Sequence, residues 1–528
     1  MTTDAAMTEL ITLIKRAHAL GTIGELLAWD EQVNLPPGGA EQRATQQAAL
    51  AAAHHAAASD PRIGELLAAL EGRQGLDLAG ASTGQPPGRP DSDARPAVVP
   101  QLDDDQQAVV AQARRDYDRA TKLPADFVRE KAAQGSRGYH AWARARATDD
   151  FASYAPVLEK NLELARREAA YLGFGGAPYD CMLDKHDPGL TASVVDRLFG
   201  ELKRELVPLV REITASPAAA RAVAAAEKLC GFPLDGQRAF LREVTEAIGF
   251  DYSRGRIDVS LHPFCSGTGS DVRMTTRYKE HQPLDALFSS IHETGHGLYE
   301  QGLPAAHLGT ALGIHAGMAV HESQSRLWEN QVARSLGFWR CFEPRWRERF
   351  PAQTAGVNAD ELYLAVNAVE PTVIRVDADE VTYNLHIVLR FELEKQLFAG
   401  ALAVRDLPAA WRAASRELLG LEPASDREGV LQDVHWSDGS FGYFPSYCLG
   451  NMIAAQLWYR VLALRPAIEE EFARGDFSWL LGWLRENVHA HGRRFSAMEL
   501  VRRVTGDTLS PRPLVRYLRE RYGGLDRE

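Results

Sequence analysis

The stretch SSIHETGHGLYEQG, Ser289 to Gly302, packs two histidines, an acid and two glycines into six consecutive positions, His292-Glu293-Thr294-Gly295-His296-Gly297. On a helix, positions four apart stack on one face, so His292 and His296 can aim two imidazoles at one point, as zinc needs of its first two ligands. Glu293 flanks that point. It is badly placed to bind the same ion and well placed to take a proton from water activated there. The glycines cost a helix interior roughly 1 kcal/mol each, which makes sense if another backbone must pass close to the metal. A catalytic zinc takes a third protein ligand and leaves one position to water. The continuation HExxHxxGxxH is absent, because Tyr299 and Gly302 stand where its glycine and third histidine would be. Downstream, HAGMAVHESQSRLWEN (His315 to Asn330) begins a further helical stretch. Glu322 within it is assigned as the third ligand, with His315, His321 and Glu300 as the competing candidates.

The elements that carry these residues read as mainly α. Leu10, Leu13, Ile14 and Ala17 share one helical face, as do Leu202, Leu206, Leu209, Val210 and Ile213, and again Leu385, Val388, Leu389 and Leu393. No internal repeat interrupts the pattern, and a single α-helical domain over residues 1–528 is expected, with the metal and substrate site in about residues 255–451. Two segments depart from it. About residues 76–100 are dense in Pro, Gly, Ser and Asp with no apolar period, which predicts a flexible inserted loop. Just before the metal helix, GRIDVSLHPFCSGTGSDVRMTTRY (Gly255 to Tyr278) shows two alternating runs around a Gly/Ser turn, which predicts a β-hairpin. Alternation puts Asp258, Ser260 and His262 on one face of the first run and Asp271, Arg273 and Thr275 on one face of the second. The polar face of the hairpin then gathers His262, Asp271 and Arg273.

The bulk composition narrows the class of function. In 528 residues, 45% are hydrophobic and 25% charged, as in folded soluble proteins. With 59 basic and 71 acidic side chains the net charge is −12, and no basic run or basic-aromatic stripe appears, so nucleic acid and anionic membrane are poor partners. The start, MTTDAAMTELITLIKRAHAL, lacks a signal-peptide pattern, and no window is apolar enough to span a bilayer. Cys181, Cys230, Cys265, Cys341 and Cys448 are scattered and odd in number, which argues against a disulfide framework or a cysteine zinc cluster and predicts a cytoplasmic location.

Six strings in order resemble the carboxypeptidase Taq family of zinc metallocarboxypeptidases. They are HPF (His262 to Phe264), DVRMT (Asp271 to Thr275), HETGH, HES (His321 to Ser323), IRVDAD (Ile374 to Asp379) and GYFPSYCLGN (Gly442 to Asn451). RATKLPADFV (Arg119 to Val128) extends the likeness into the N-terminal half. The resemblance implies a large helical metallopeptidase fold with a deep central cleft, usually a homodimer, holding zinc, with cobalt a possible substitute. It implies removal of C-terminal amino acids one at a time from peptides with a free C-terminus, with broad preference and poor tolerance of terminal proline. Two features depart from the family pattern, the segment near residues 76–100 and Ser446, where threonine is more usual.

Holding a metal is not enough for such an enzyme, which must also polarise the scissile carbonyl and bind a terminal carboxylate. For the oxyanion, the resemblance and the chemistry favour a His or Tyr donor, and DVHWSDGSFGYFPSYCLGN offers His435 and Tyr447 first. Tyr443 is either a substrate contact or a core aromatic beside a Pro turn. His262 would contact a peptide laid along the strand edge, while Asp271 and Arg273 form either a binding site or an ion pair. Arg375, among Asp377, Asp379 and Glu380, offers the rigid fork that matches a carboxylate. The resemblance puts the IRVDAD arginine in the substrate cleft. The competing functions are a zinc aminopeptidase or oligoendopeptidase, and a non-catalytic helical protein with structural zinc. Peptides with blocked ends separate the first two.

Overall fold

The computed structural model describes residues 1–80, 102–260 and 262–525. The chain opens with α1 (Thr3–Val33), α2 (Ala40–Ala58), α3 (Pro61–Gly80) and α4 (Asp104–Lys122). Thr2 caps α1 by accepting from Ala5 N, and Asp103 and Gln106 cap the start of α4 reciprocally. These helices bury Leu10, Leu66, Leu67, Leu70 and Val110 in a small core of their own, into which Leu312 inserts from the rest of the chain. Residues 76–80, read from the sequence as the start of a loop, instead complete α3. The remainder of that predicted insertion lies outside the described residues.

A second, much larger core begins at α5 (Ala125–Thr148) and continues through α6 (Phe151–Leu172), α7 (Pro178–His186), α8 (Ala192–Thr214), α9 (Pro217–Glu227) and α10 (Leu234–Ala247). The face predicted on α8 is buried at all five positions, Leu202, Leu206, Leu209, Val210 and Ile213.

Next come β1 (Gly255–Val259), β2 (Cys265–Thr268) and β3 (Asp271–Thr276), a sheet in the order β1-β3-β2. This corrects the predicted hairpin. The first alternating run, β1, lies parallel to β3, and the antiparallel partner of β3 is the short β2. Alternation reports which face a side chain takes and not which way its neighbour runs. The Gly/Ser segment is itself β2 and its turn. Gly267 has φ +83°, and a Cβ there would sit 2.0 Å from Asp271 O, so only glycine closes this hairpin. His262 is therefore exposed on the connection between β1 and β2, and not on a strand face.

The rest is helical: α11 (Pro283–Gly302), α12 (Met318–Arg326), α13 (Leu336–Arg349), α14 (Ala359–Val366), α15 (Tyr383–Ala399), α16 (Leu407–Leu419), α17 (Phe444–Leu464), α18 (Ile468–Ala473), α19 (Ser478–Asn487), α20 (Ala497–Thr505) and α21 (Arg512–Gly524). α12 is wedged between α11 and α17. Two glycines permit this. A Cβ on Gly295 would come within 2.5 Å of Ser325 Cα, and one on Gly450 within 2.5 Å of Glu322 Cγ. The close backbone approach expected of the metal helix is thus realised against α12. α15 was read as amphipathic, yet Asn384, His386, Arg390 and Glu394 are buried along with Leu385, Val388, Leu389 and Leu393. It runs through the core, where Arg390 pairs with Asp433, Glu394 accepts from Tyr179 and Trp436, and Asn384 accepts from Asn451.

The five cysteines are free. Among the described residues no helix is long and apolar enough to cross a membrane.

Candidate metal centre

α11 and α12 bring His292, His296 and Glu322 together, with one ligand atom of each within 4.8 Å of the others. Glu322 Oε2 lies 3.6 Å from His292 Nε2 and 3.4 Å from His296 Nε2. Ligand atoms bound about 2.0–2.1 Å from a tetrahedral zinc sit roughly 3.4 Å apart, so the spacing fits such an ion.

The surrounding hydrogen bonds fix which nitrogen each imidazole offers. Glu329 Oε2 accepts from His292 Nδ1–H at 2.8 Å, which leaves the lone pair on Nε2, facing the centre. On the other side Glu300 Oε1 accepts from His321 Nε2–H at 2.9 Å. His321 Nδ1 must then accept from His296 Nδ1–H, and His296 Nε2 is again the free donor atom for a metal. Arg326 donates to Glu322 Oε1 at 2.7 Å and to Glu329 Oε2 at 3.0 Å, and so links the third ligand to the outer carboxylate. The electrostatics favour the metal-binding form at His296 and Glu322, while His292 must give up a proton when a metal binds. Burial, followed by the neighbouring His321, pushes the His296 pKa down to about 3 and keeps it neutral. Burial works against the Glu322 carboxylate, but Arg326 and the two histidines outweigh it and hold its pKa well below the ordinary range. For His292 burial is likewise outweighed, by Glu322 and then Glu329, and its pKa lies above the usual value.

Glu293 is 6% exposed on the same helix, and burial raises its carboxyl to about 7. A base poised near neutrality suits proton transfer at physiological pH. β2 is an edge strand beside it, close enough that the Glu293 charge bears on Cys265.

Tyr443, just ahead of α17, and Tyr447, in its first turn, lie with their ring centroids 5.2 Å apart. Burial raises both phenols, and the Glu322 charge adds to the shift of each. His435 Nε2 lies 3.0 Å from the Tyr447 hydroxyl, while His435 Nδ1 is buried with no partner. An orphan acceptor costs less than an orphan N–H, so the proton belongs on Nε2. Nε2–H then donates to Tyr447 and leaves the phenol proton free to point elsewhere. Burial, then Arg375, lowers His435 to about 3, so the ring is neutral. Tyr443 packs edge-on to His186 at 5.0 Å, and its ring lies 5.5 Å from that of His435.

Arg375, 7% exposed, is not neutralised by the acids beside it in sequence. Asp379 closes the turn ahead of α15 by accepting from Val381 N and Thr382 N, and Glu380 accepts from Tyr522. The partner is Asp433, whose Oδ1 accepts from Arg375 Nε at 2.9 Å. Arg375 Nη1 donates to Tyr383 at 3.0 Å, and the guanidinium carbon lies 5.2 Å from the Tyr447 ring centroid. These bonds leave a donor on each terminal nitrogen for a ligand. His262 is exposed at the surface, and its imidazole is partly desolvated and surrounded by the positive charges of Arg277, Arg146 and Arg375, which lower its pKa. Arg273 donates to both oxygens of Asp271, at 2.8 and 3.0 Å, and stacks 4.3 Å from the Trp29 ring centroid.

Sequence reasoning passed over Glu329, Arg326 and Asp433, and read His321 and Glu300 as rival ligands or else as residues at the surface or behind the ligands. Glu322, Arg326 and Glu329 are spaced four and then three apart, a one-face helical pattern that was legible. Nothing in the spacing announces Asp433, 58 residues from its partner Arg375.

The family described as carboxypeptidase Taq (M32) metallopeptidase matches residues 9–522. Thermostable carboxypeptidase 1 of Thermus thermophilus is 41% identical over 99% of this chain and 100% of its own length. Carboxypeptidase 1 of Bacillus subtilis is 35% identical over 98% of each. Among solved structures, the M32 carboxypeptidase from Deinococcus radiodurans R1 aligns over 99% of both chains with a TM-score of 0.87 at 44% identity. Trypanosoma cruzi metallocarboxypeptidase 1 covers 98% of this chain and 99% of its own, with a TM-score of 0.86 at 32% identity.

Proposed function

The chain belongs to the carboxypeptidase Taq (M32) metallopeptidase family and is a metallocarboxypeptidase, and from that premise we propose a zinc enzyme of broad specificity that uses Glu293 as its base. The observation that carries the reading is the convergence of His292 Nε2, His296 Nε2 and Glu322 Oε2, with both imidazole tautomers set by outer carboxylates. A zinc ion there supplies a lowered pKa for water and polarisation of the scissile carbonyl, and cobalt offers the same coordination.

The chain's own residues do the rest. Glu293, buried beside the two imidazoles, accepts the proton of the attacking water and passes it to the departing amine. Tyr447, its oxygen engaged by His435 Nε2–H, turns its phenol proton toward the oxyanion, with Tyr443 beside it. Arg375 anchors the terminal carboxylate, and His262 contacts the peptide from the β1–β2 connection. Arg273, already engaged by Asp271 and Trp29, is the alternative anchor.

One set of peptides tests this: a free-acid peptide, its C-terminal amide, and an N-acetylated free acid. The zinc-loaded enzyme is expected to cleave the first and third and to discriminate strongly against the amide. Cleavage of the amide with loss of activity on the acetylated peptide would instead establish an aminopeptidase.

A further inference from the structure

Behind Arg375 lies a guanidinium that no substrate can touch. Arg390, in the middle of α15, is 0% exposed. Both arginines close on one carboxylate. Arg375 Nε and Nη2 lie 2.9 and 2.8 Å from Asp433 Oδ1. Arg390 Nε and Nη2 lie 2.7 and 2.5 Å from Asp433 Oδ2. Each oxygen of Asp433 is thus committed to a different arginine. The other donors of Arg390 go to His386 O and Gln432 Oε1, both at 2.8 Å, and the Trp411 ring centroid lies 4.6 Å from its guanidinium carbon. Gln432 Oε1 also accepts from the backbone N of Arg375 at 2.8 Å, and its amide donates to Val373 O at 3.0 Å. One segment, Gln432–Asp433, therefore holds both the backbone and the side chain of Arg375.

Two cations share a single anion, and among the described residues no other acid forms an ion pair with either arginine. The cluster keeps one net positive charge where water is largely excluded, and a buried excess charge is costly until something neutralises it. Without Arg390, Asp433 would neutralise Arg375, and an incoming carboxylate would meet a pair with no net charge.

We infer that Arg390 is a specificity-determining positioning residue: by occupying one oxygen of Asp433, it leaves a positive charge for Arg375 to present to the terminal carboxylate of a peptide. This rests on the reading of Arg375 as the carboxylate anchor. Arg390 itself touches no substrate. A purely structural knot of buried groups would affect stability, and would affect free-acid and amide peptides alike.

The test uses the full-length, zinc-loaded protein and a matched pair of free-acid and C-terminal amide peptides. Zinc content is checked for each variant. Arg390→Gln, neutral but still able to hydrogen-bond Asp433, is expected to raise KM for the free acid by about tenfold or more while leaving the amide nearly unchanged. The double variant Arg390→Met/Asp433→Asn again carries one net positive charge, on Arg375, and is expected to keep most of the free-acid preference. An unchanged preference in Arg390→Gln, or a double variant with as little preference as Arg375→Ala, overturns the inference. If Arg390→Gln does not fold, the double variant decides, since it removes the buried charge pair together. Arg375→Ala separates this inference from the reading beneath it. Full preference in Arg375→Ala would remove the anchor itself. Loss there, with Arg390→Gln unaffected, would remove only the role of Arg390.

Discussion

At the scale of single residues, the centre separates groups that hold a metal from a group that moves a proton, and substitutions should separate them too. Glu293→Gln should bind zinc stoichiometrically and lose kcat by about 10²- to 10⁴-fold, the usual range for removing a general base. His292→Ala, His296→Ala and Glu322→Ala should lose the metal as well, read by metal analysis after dialysis. Wild-type zinc affinity in Glu322→Ala would displace it as third ligand. The outer groups predict a graded effect. Glu300 orients His321, and His321 Nδ1 accepts a hydrogen bond from His296 Nδ1–H, so His321→Ala or Glu300→Gln should weaken zinc binding by about 10- to 100-fold in a chelator competition. Unchanged affinity would reduce the relay to packing. The His292–His296 pair was legible because four-residue spacing on a helix is a geometric statement, whereas Glu322 rested on its distance downstream and on the family resemblance. The relay was not, because His321 and Glu300 meet across two helices and their roles depend on which atoms face each other.

At the scale of elements, the site exists because α12 can lie flush against α11 and α17. Gly295→Leu should separate α11 from α12, with loss of zinc and of several kcal/mol of stability, since overpacking meets backbone here and not a movable side chain. α12 has no side-chain cap of its own. Asp187, at the end of α7, supplies one, its Oδ1 accepting from Ala319 N at 2.8 Å while Oδ2 accepts from Ser446 at 2.6 Å. The serine that stands where threonine is more usual thus ties α17 to the same carboxylate. Burial raises the Asp187 carboxyl from 3.8 to about 6. A carboxyl whose pKa is higher in the folded state destabilises it above that pKa, and the penalty fades as pH falls from about 6 to about 4. Asp187→Asn has no such titration. Relative to it, the wild type should gain about 2 kcal/mol between pH 7.5 and 4.5 in denaturant unfolding, and a constant difference would mean that Asp187 does not titrate in this range. Helix faces such as that of α8 could be read from periodicity. The parallel course of β1 and the all-round burial of α15 could not, since both depend on partners distant in sequence.

At the scale of the molecule, two hydrophobic cores meet along a seam beside the metal centre, and the seam has unequal parts. α4 crosses it through ion pairs, Arg115 and Arg119 with Asp184, Asp116 with Arg493 and Asp105 with Arg494. Such partly exposed pairs contribute about 0–1 kcal/mol each and weaken in salt. α1 crosses it through Trp29, 4% exposed, whose ring centroid lies 5.3 Å from the guanidinium carbon of Arg256 on β1 and 4.3 Å from that of Arg273 on β3. A buried ring against two guanidiniums is screened less than an exposed ion pair, and truncating a buried Trp costs about 3–5 kcal/mol in a full core. Trp29→Ala should therefore free α1 to α4 from the rest by about 3 kcal/mol, at the lower end of that range because the seam is thinner than a core. The expected result is faster amide exchange and protease cleavage within residues 1–122, at unchanged zinc content, because all three ligands belong to the larger core. In the wild type, about 1 M salt should produce a smaller loosening, confined to α4. If exchange in α11, α12 and α17 accelerated together with that of α1, the two cores would unfold as one unit, and Trp29 would stabilise the whole molecule and not its seam.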